Sequence, residues 1–575
     1  MTDRGARYEK APVALLKTPT GIAGFDDVTG GGLPKGRTTL LVGDAGTGKT
    51  LFALQSLVNG ARFHDESSIF VTFEESPERL RANAAAFGWD IEALEKDKLF
   101  LLDARVSPTT VKIGQFDLTG MLKALAAKVA EMGATRIVFN ALDELLFLLN
   151  DPMAERREVY RLHEWLVESN LTCLMTVKPK NVDTLDSEHG FMPFMVDCVV
   201  GLHHSLAGRV ALRHLRVTKY RGSGFADSEF PLVFGARGME VGDLGTNTAD
   251  FPALVERIST GIPRLDSMLE GGYLRGSSVL VTGSPGTAKS MLAGAFADAA
   301  CRRDERALYV CFDEGINEML RNAASIGIDL ESHVKSGRLL MCMASSETKS
   351  AEEHVLQMKE WIESHNPRVV VVDPISAIHI GGGETAAMVA LRRLVRLAKS
   401  RGITLYCASL LAGLEARAEA SPIQISTIAD TWIHLSYVVY GGERNRCLTI
   451  VKARGTGHSN QVRELTLDRG GIHVTDVYVA GGEVLTGTAR WERERANRLS
   501  EEQQELETER RQRRLAAERE ELRARMEAIA QEVAARDEEM SRLRDEQESR
   551  VRHAAERATE MLKRRRGDLA PEVQE

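Results

Sequence analysis

Two octapeptides of nearly the same spelling stand 240 residues apart in this chain: GDAGTGKT at 43–50 and GSPGTAKS at 283–290. Their flanks match in the same order. TGI at 20–22 precedes the first and TGI at 260–262 the second, and Asp26 pairs with Asp266 and Gly36 with Gly276 at that offset. Farther on the offset drifts: NAAAFGWDI (83–91) pairs with NAASIGIDL (322–330), and KYRGSG (219–224) with KARGTG (452–457) at 233 residues. A chance octapeptide does not bring its neighbours along, so the chain is a tandem duplication of one large domain. Whatever architecture one copy adopts, the other must adopt too. The length of 575 residues agrees, because single cores stop growing near about 250–300 residues.

Within each copy, short β-rich runs alternate with helical stretches. TTLLVG (38–43) and SSVLVTG (277–283) each end in the Gly-rich loop and are followed by TLFALQSLVNGA and SMLAGAFADAA. Later runs continue the alternation: SSIFVTF, RIVFN and LTCLMTV in the first copy, ALYVCF, RVVVVD and ITLYCAS in the second. Strand–helix alternation implies an α/β fold whose mostly parallel sheet binds ligands at its carboxyl edge.

The strand–loop–helix setting makes both octapeptides P-loops of the Gly-x-x-x-x-Gly-Lys-Ser/Thr type. The candidate nucleotide-binding residues are Gly43, Asp44, Ala45, Gly46, Thr47 and Gly48 in one copy and Gly283, Ser284, Pro285, Gly286, Thr287 and Ala288 in the other. Inward backbone N–H groups and the helix N-terminus hold the phosphates. Lys49 and Lys289 reach the β/γ-phosphates, and the Thr50 and Ser290 hydroxyls are Mg²⁺ ligands. ATP and Mg²⁺ are the implied cofactors. Ala288 adds a methyl where the motif has its second glycine; a helix-start residue with negative φ tolerates it, and that conformation is expected here.

Carboxylates follow the next strand in both copies. VTFEES places Glu74 and Glu75 there, and VCFDEG places Asp313 and Glu314 at the matching positions. An acid beside a γ-phosphate can orient or deprotonate the attacking group. The following strand differs: RVVVVD ends in Asp373, a suitable ligand for Mg²⁺ or its water, whereas RIVFN ends in Asn140, with Asp143 three residues on. A neutral amide does not balance the charge of Mg²⁺, so weaker Mg²⁺ dependence or slower turnover is expected in the first domain.

A net charge of −8 and a pI near 6.0 give no global attraction to nucleic acid or anionic lipid. The seven cysteines contain no C-x-x-C pair, so neither a disulfide framework nor a zinc site is expected. No apolar run is long enough to span a bilayer and the first residues lack an apolar h-region; a cytoplasmic protein is expected, with no membrane partner.

The ordered set of motifs resembles the KaiC family of circadian clock ATPases. The resemblance covers roughly 14–490 and rests on the paired loops, TGIAGFDDVTGGGLPKG and TGIPRLDSMLEGGYLRG, VTFEES, FGWDIEAL, KYRGSG, VKARGTGH and above all ISTIADTWIHLSYV from 425. It implies two tandem RecA-like domains, at 14–247 and 248–487, between an N-terminal arm (1–13) and a coiled-coil extension (488–566) with a short tail (567–575). It implies hexameric rings with ATP at subunit interfaces, slow ATPase activity in both domains, and autophosphorylation by the second. Glu74 and Glu75 would then activate water, and Asp313 and Glu314 would act as bases for phosphoryl transfer. Lys219 and Arg221, with Lys452 and Arg454, would reach the neighbouring subunit's nucleotide, and Ser426 and Thr427 would be the phosphoacceptors. A KaiB-like partner on the first ring is implied. Asn140, Asp313 and the SPIQ stretch at 421–424 depart from the cyanobacterial pattern. The family's short C-terminal tail that binds the activator KaiA is not recognisable in this sequence, so KaiA control is not expected.

From about 488 the composition turns to Glu, Arg, Ala and Gln, with neither Gly nor Pro until Gly567. Leu515, Leu522, Met526, Ile529, Val533, Met540 and Leu543 recur in steps of sevens, fours and threes, a heptad pattern that predicts a coiled coil. Arg519, Arg536 and Gln547 fall on the seam, and the spacing shifts near Val551 as a stutter would. Six such arms on one ring could join a second ring end to end, so a dodecamer of two hexamers is expected. An autophosphorylating serine/threonine kinase and ATPase that serves as a clock or timer is the reading this supports. The alternatives are a RecA-type DNA-dependent ATPase or recombinase, which the acidic pI disfavours, and a coiled-coil scaffold whose nucleotide is structural.

Overall fold

The computed structural model describes residues 15–105, 118–149, 151–181, 184–187, 190–207, 210–242, 254–345, 349–380, 383–411, 427–440, 442–480 and 483–564. The chain divides into two units, Met1–Val477 and Tyr478–Glu575.

The first unit contains both copies. The first copy has nine strands in one sheet: β1 (Thr38–Gly43), β2 (Ser68–Thr72), β3 (Leu99–Asp103), β4 (Arg136–Asn140), β5 (Thr172–Val177), β6 (Cys198–Ala207), β7 (Val210–Tyr220), β8 (Glu229–Gly235) and β9 (Gly238–Val241). Their order across the sheet is β9-β8-β7-β6-β1-β5-β4-β2-β3. The six strands from β6 to β3 are parallel, and β6 to β9 form an antiparallel flank. In the second copy β10 (Ser278–Gly283), β11 (Ala307–Cys311), β12 (Leu339–Met343), β13 (Val369–Asp373), β14 (Thr404–Leu410), β15 (Thr431–Tyr440), β16 (Glu443–Ala453), β17 (Arg463–Asp468) and β18 (Gly471–Asp476) repeat that order strand for strand. These are two tandem RecA-like P-loop domains, as the duplication requires.

The central strands are buried along their whole length, β1, β4 and β5 without a break, because helices cover both faces. That is why they read as continuous apolar runs with no alternation. Alternate residues feed separate cores: Leu41, Phe70, Val138 and Leu174 pack with Phe52 and Leu57 on one side, while Leu40, Ile69, Ile137 and Phe139 pack with Leu122 and Leu162 on the other. The antiparallel flank has one buried face, and there the period of two returns: Leu215 and Val217 are buried, His214 and Arg216 are not. The helices α1 (Lys49–His64) and α2 (Lys289–Arg302) start directly from the Gly-rich loops. The two copies touch through α3 (Ala351–His365), which packs Leu356 near Gly235 and places Lys359 2.7 Å from Glu240 and Glu363 2.5 Å from Arg237.

The second unit is dominated by α4, Gly487–Arg564, a continuous helix of 78 residues. At about 1.5 Å per residue it extends roughly 117 Å. Leu515, Leu522, Met526, Ile529, Val533, Met540 and Leu543 are all more than half exposed on it. Among the described residues no helix is long and apolar enough to cross a membrane.

Candidate nucleotide sites

Parallel strands end together, so the loops after β1, β2, β4 and β5 gather at one edge of the first sheet. There one cleft is lined by Asp44, Gly46, Gly48, Lys49, Thr50, Glu74, Glu75, Asn140 and Lys178. The equivalent cleft of the second copy is lined by Gly286, Ala288, Lys289, Ser290, Asp313, Glu314 and Asp373. Lys49 Nζ donates to the carbonyls of Gly43 (2.6 Å) and Asp44 (3.0 Å), and Lys289 Nζ to those of Gly283 (2.9 Å) and Ser284 (2.8 Å). Thr47 and Thr287 tie their hydroxyls to Asp44 O and Ser284 O, each at 2.8 Å, holding the two loops in the same shape. Burial lowers the pKa of both lysines, Lys289 to about 8; Asp143 and Glu74 oppose this at Lys49, and Asp373 at Lys289.

Ala288 departs from the expected negative φ. It lies in the left-handed region, φ +79°, as Gly48 does at +97°. The loop geometry imposes that conformation whatever residue occupies it, at a cost of roughly 1–2 kcal/mol for a non-glycine residue. What admits the methyl is its surroundings. A Cβ on Gly48 would stand 2.6 Å from Phe234 Cζ. Strand register sets Leu467 at the position of Phe234, and Ala288 and Leu467 both pack against the second domain's core.

The acids lie where the strand pattern puts them. After β2, Ser76 accepts a hydrogen bond from Arg79 N and starts a helix, Pro77–Ala85, which turns the chain at Glu74–Glu75. Asn83 on that helix donates to Glu75 Oε2 at 3.1 Å, and Asn322 hydrogen-bonds Glu314 in the same way. Burial, then Glu74, raises the Glu75 pKa; burial raises that of Asp313; burial, then Asp373, raises that of Glu314. Asn83 and Asn322 open the paired segments NAAAFGWDI and NAASIGIDL, so their recurrence is the sequence signal for this positioning contact.

The strand-end pair separates the copies. Asp373 is held by the Ser290 hydroxyl and by Tyr309 Oη at 2.7 Å, and burial raises its pKa. At the first copy Phe70 stands where Tyr309 does, and Asn140 Oδ1 accepts from Thr50 Oγ1 (3.3 Å) and Thr176 Oγ1 (3.1 Å). Asn140 Nδ2 is buried with no hydrogen-bond partner. Asp143 is buried beside it, its Oδ1 also unpartnered and its Oδ2 3.8 Å from Lys178 Nζ. Burial raises its pKa, against Lys178 and more weakly Lys49. Lys178 also bonds Glu144 at 2.5 Å. In the second copy the register puts Ser376 at the place of Asp143 and Leu410 at that of Lys178. Lys178 and Phe234 carry no motif in the sequence; only their fold position brings them to the cleft.

The remaining predicted residues lie elsewhere. Thr431 pairs with Val279 and Leu435 with Gly283, so the chain before β15 meets the amino edge of the sheet. Asp430 N donates to Ser278 O at 2.8 Å there, and Arg454 NH2 to Thr427 O at 3.1 Å. Lys452 pairs with Trp432 beside them. In the first copy Lys219 and Arg221 occupy the same edge, donating to Pro193 O (2.7 Å) and Phe194 O (2.9 Å). A strand of six residues separates this edge from the chain's own P-loop, about 20 Å at ~3.3 Å per residue. Thus Lys219, Arg221, Lys452, Arg454 and Thr427 do not join the P-loop clefts of their own domains. Ser426 lies outside the described residues.

Comparison with known proteins adds the lineage. The family model "ATPase: KaiC" matches twice, at 18–245 and 258–478. The circadian clock protein KaiC2 of Synechocystis sp. (strain ATCC 27184 / PCC 6803 / Kazusa) is 36% identical over 541 residues, covering 92% of this chain and 93% of that one. The circadian clock oscillator protein KaiC of Parasynechococcus marenigrum (strain WH8102) is 35% identical over 475 residues, 82% of this chain and 93% of its own. That of Parathermosynechococcus lividus is 33% identical over 476 residues, 82% and 88%. With both sheets, both P-loops and these matches in agreement, the chain belongs to the KaiC family of ATPases.

Proposed function

We propose that the chain is an ATP-hydrolysing, autophosphorylating serine/threonine kinase of a circadian clock or hourglass timer, working as a homo-hexameric ring. The observation that carries this reading is the placement of Thr427, Lys452 and Arg454 at the sheet edge opposite their own P-loop. At that distance transfer within one domain has no route, so Thr427 meets a γ-phosphate only if a neighbouring subunit presents one. The same edge carries the cations that would stabilise charge on the transferring group, as an arginine finger does. Lys219 and Arg221 support the same arrangement in the first domain.

Within the second cleft, Glu314 and Asp313 serve as bases for the acceptor hydroxyl of Ser426 or Thr427. Their raised pKa values bring them nearer neutrality, which favours proton acceptance. In the first cleft, Glu74 and Glu75 orient water and Asn83 fixes the Glu75 rotamer. The donors fit Mg²⁺: Ser290 and Asp373 in one copy, Thr50 in the other, where the carboxylate is displaced from the strand end to Asp143 and its unpartnered Oδ1. Mg²⁺ when bound neutralises charge on the β- and γ-phosphates. Its place in the first cleft, with an amide at 140, underlies the slower or less Mg²⁺-dependent turnover expected there.

The clock or timer role rests on the relatives, whose names carry it. A KaiB-like protein is the proposed partner of the first ring; KaiA control and nucleic-acid binding are not proposed. The exposed apolar stripe of α4 supports pairing of coiled coils between two rings, hence a dodecamer. Intact-mass spectrometry after incubation with ATP and Mg²⁺ tests the kinase reading: added phosphate that maps to Ser426 or Thr427 and is lost in Lys289→Ala supports it, and no added phosphate overturns it.

A further inference from the structure

The antiparallel flank of the first sheet has an outer face that the nucleotide chemistry does not use. Across it His203 pairs with His214, His214 with Pro231, and Arg216 with Glu229. The same strands turn Leu202, Leu215, Phe230 and Leu232 into the core. A one-residue slip would bring those side chains out, so the register is pinned and His203, His214 and Glu229 are fixed together on the outer face. One ligand atom from each lies within 4.8 Å of the other two. His203 Nε2 is 3.4 Å from Glu229 Oε1, and the two imidazole centroids are 5.5 Å apart.

We infer that His203, His214 and Glu229 form a divalent transition-metal site, with Zn²⁺ the fitting ion. Two imidazoles and one carboxylate suit a borderline-soft ion and leave a fourth position for water. Tetrahedral ligands at Zn–N and Zn–O distances of ~2.0–2.1 Å stand about 3.3 Å apart, which the His203–Glu229 edge already matches. Side-chain rotation closes the rest, since backbone register has brought all three strands together. Burial, and then His203, lower the His214 pKa, which favours the neutral ring that a metal needs. His203 Nδ1 is buried with no hydrogen-bond partner. Arg216, opposite Glu229 in the register, is engaged by Asp227 at 2.9 Å.

The triad is not inherited from the duplicated fold. The register positions of His203, His214 and Glu229 hold Ser436, Cys447 and Val462 in the second copy. No sequence pattern marks it, because its members lie 11 and 15 residues apart and become neighbours only through strand pairing. An ion there ties β6, β7 and β8 together. β7 runs on to Lys219 and Arg221, and β8 to Phe234 in the first nucleotide cleft, so occupancy would stiffen both.

The test is direct. Full-length protein stripped with a chelator is titrated with ZnCl2 against a fluorescent zinc indicator, and with CoCl2 in the visible spectrum. Wild type is expected to take up one Zn²⁺ per chain. It should also show the intense visible absorption of four-coordinate Co²⁺. His203→Asn and His214→Asn should each weaken Zn²⁺ binding by at least about 100-fold, since outer partners of metal ligands alone count for 10–100-fold. His64→Asn, an exposed histidine elsewhere, should leave it unchanged. Circular dichroism and assembly mass verify that each variant folds. Wild-type affinity no tighter than that of the double variant His203→Asn/His214→Asn, with all proteins folded, would overturn the assignment.

Discussion

Gly48→Ala transfers the second loop's departure into the first, and the two copies should answer differently. At φ +97° an alanine pays the left-handed penalty, roughly 1–2 kcal/mol. Its Cβ also meets Phe234 Cζ at 2.6 Å, a contact that forces the ring or the loop to move; overpacking of this kind costs about 1–3 kcal/mol. Together about 2–5 kcal/mol falls on the loop geometry that holds phosphate. At ~1.4 kcal/mol per tenfold, first-site ATP affinity should drop about 30- to 4,000-fold. Phe234→Leu, copying Leu467, removes the steric part and should restore the double variant to within about 5- to 30-fold of wild type. The assay is binding of a fluorescent ATP analogue to full-length protein carrying Lys289→Ala, so that only the first site reports. The mirror variant Leu467→Phe should weaken the second site while Ala288 remains. Gly48→Ala protein that binds as wild type, or a double variant no better than the single, would refute the idea that the ring opposite the loop decides which residue it accepts.

Other predictions concern the acids, the lysines and the helix. With the second site silenced by Lys289→Ala, Asp143→Asn should raise the Mg²⁺ concentration needed for first-site hydrolysis by about tenfold or more, one lost charge interaction of ~1.4 kcal/mol, and adding Asn140→Asp should reverse this; activity assays across a Mg²⁺ titration decide it. Lys289 is charged below about 8 and loses its proton above, so second-site ATP affinity should fall as pH rises from about 8 towards 9.5, by up to about tenfold per unit; binding measured with Lys49→Ala protein that stays flat over that range contradicts it. Deleting residues 500–575 should halve the assembly mass in light scattering, and an unchanged mass would count against ring pairing through α4.

Much of the fold and the site is legible in the sequence because the duplication presents each motif twice. The loops, the acids after β2 and β11, and the contrast of Asn140 with Asp373 are all local in sequence and fall at strand ends. What stays hidden depends on register. Nothing in the sequence aligns Phe234 with Gly48, since they meet only when β8 folds over the loop. The negative φ expected of Ala288 fails for a related reason: the helix-start rule considers the residue alone, while the loop closing around phosphate sets the backbone. Tyr309 supporting Asp373 and Lys178 facing Asp143 are likewise contacts between strands or between a strand end and a helix. The cysteine pattern offers no metal site, and the histidine triad that offers one is spread over three strands. The tail is the reverse case, because a heptad is a local period and its apolar stripe can be read from spacing alone.

The central claim is transfer of a γ-phosphate from the second nucleotide site to a neighbouring subunit's Thr427, at the sheet edge opposite that subunit's own P-loop, or to the preceding residue Ser426. It is tested most directly by mixing two variants, one with Lys289→Ala and intact acceptors, the other with Ser426→Ala/Thr427→Ala and an intact P-loop, and mapping phosphate after exchange of subunits in ATP and Mg²⁺. Phosphate on Ser426 or Thr427 of the Lys289→Ala chains, absent when either variant is incubated alone, is the predicted result. Phosphate that never appears on those chains in the mixture, while wild-type protein is phosphorylated there, would contradict it.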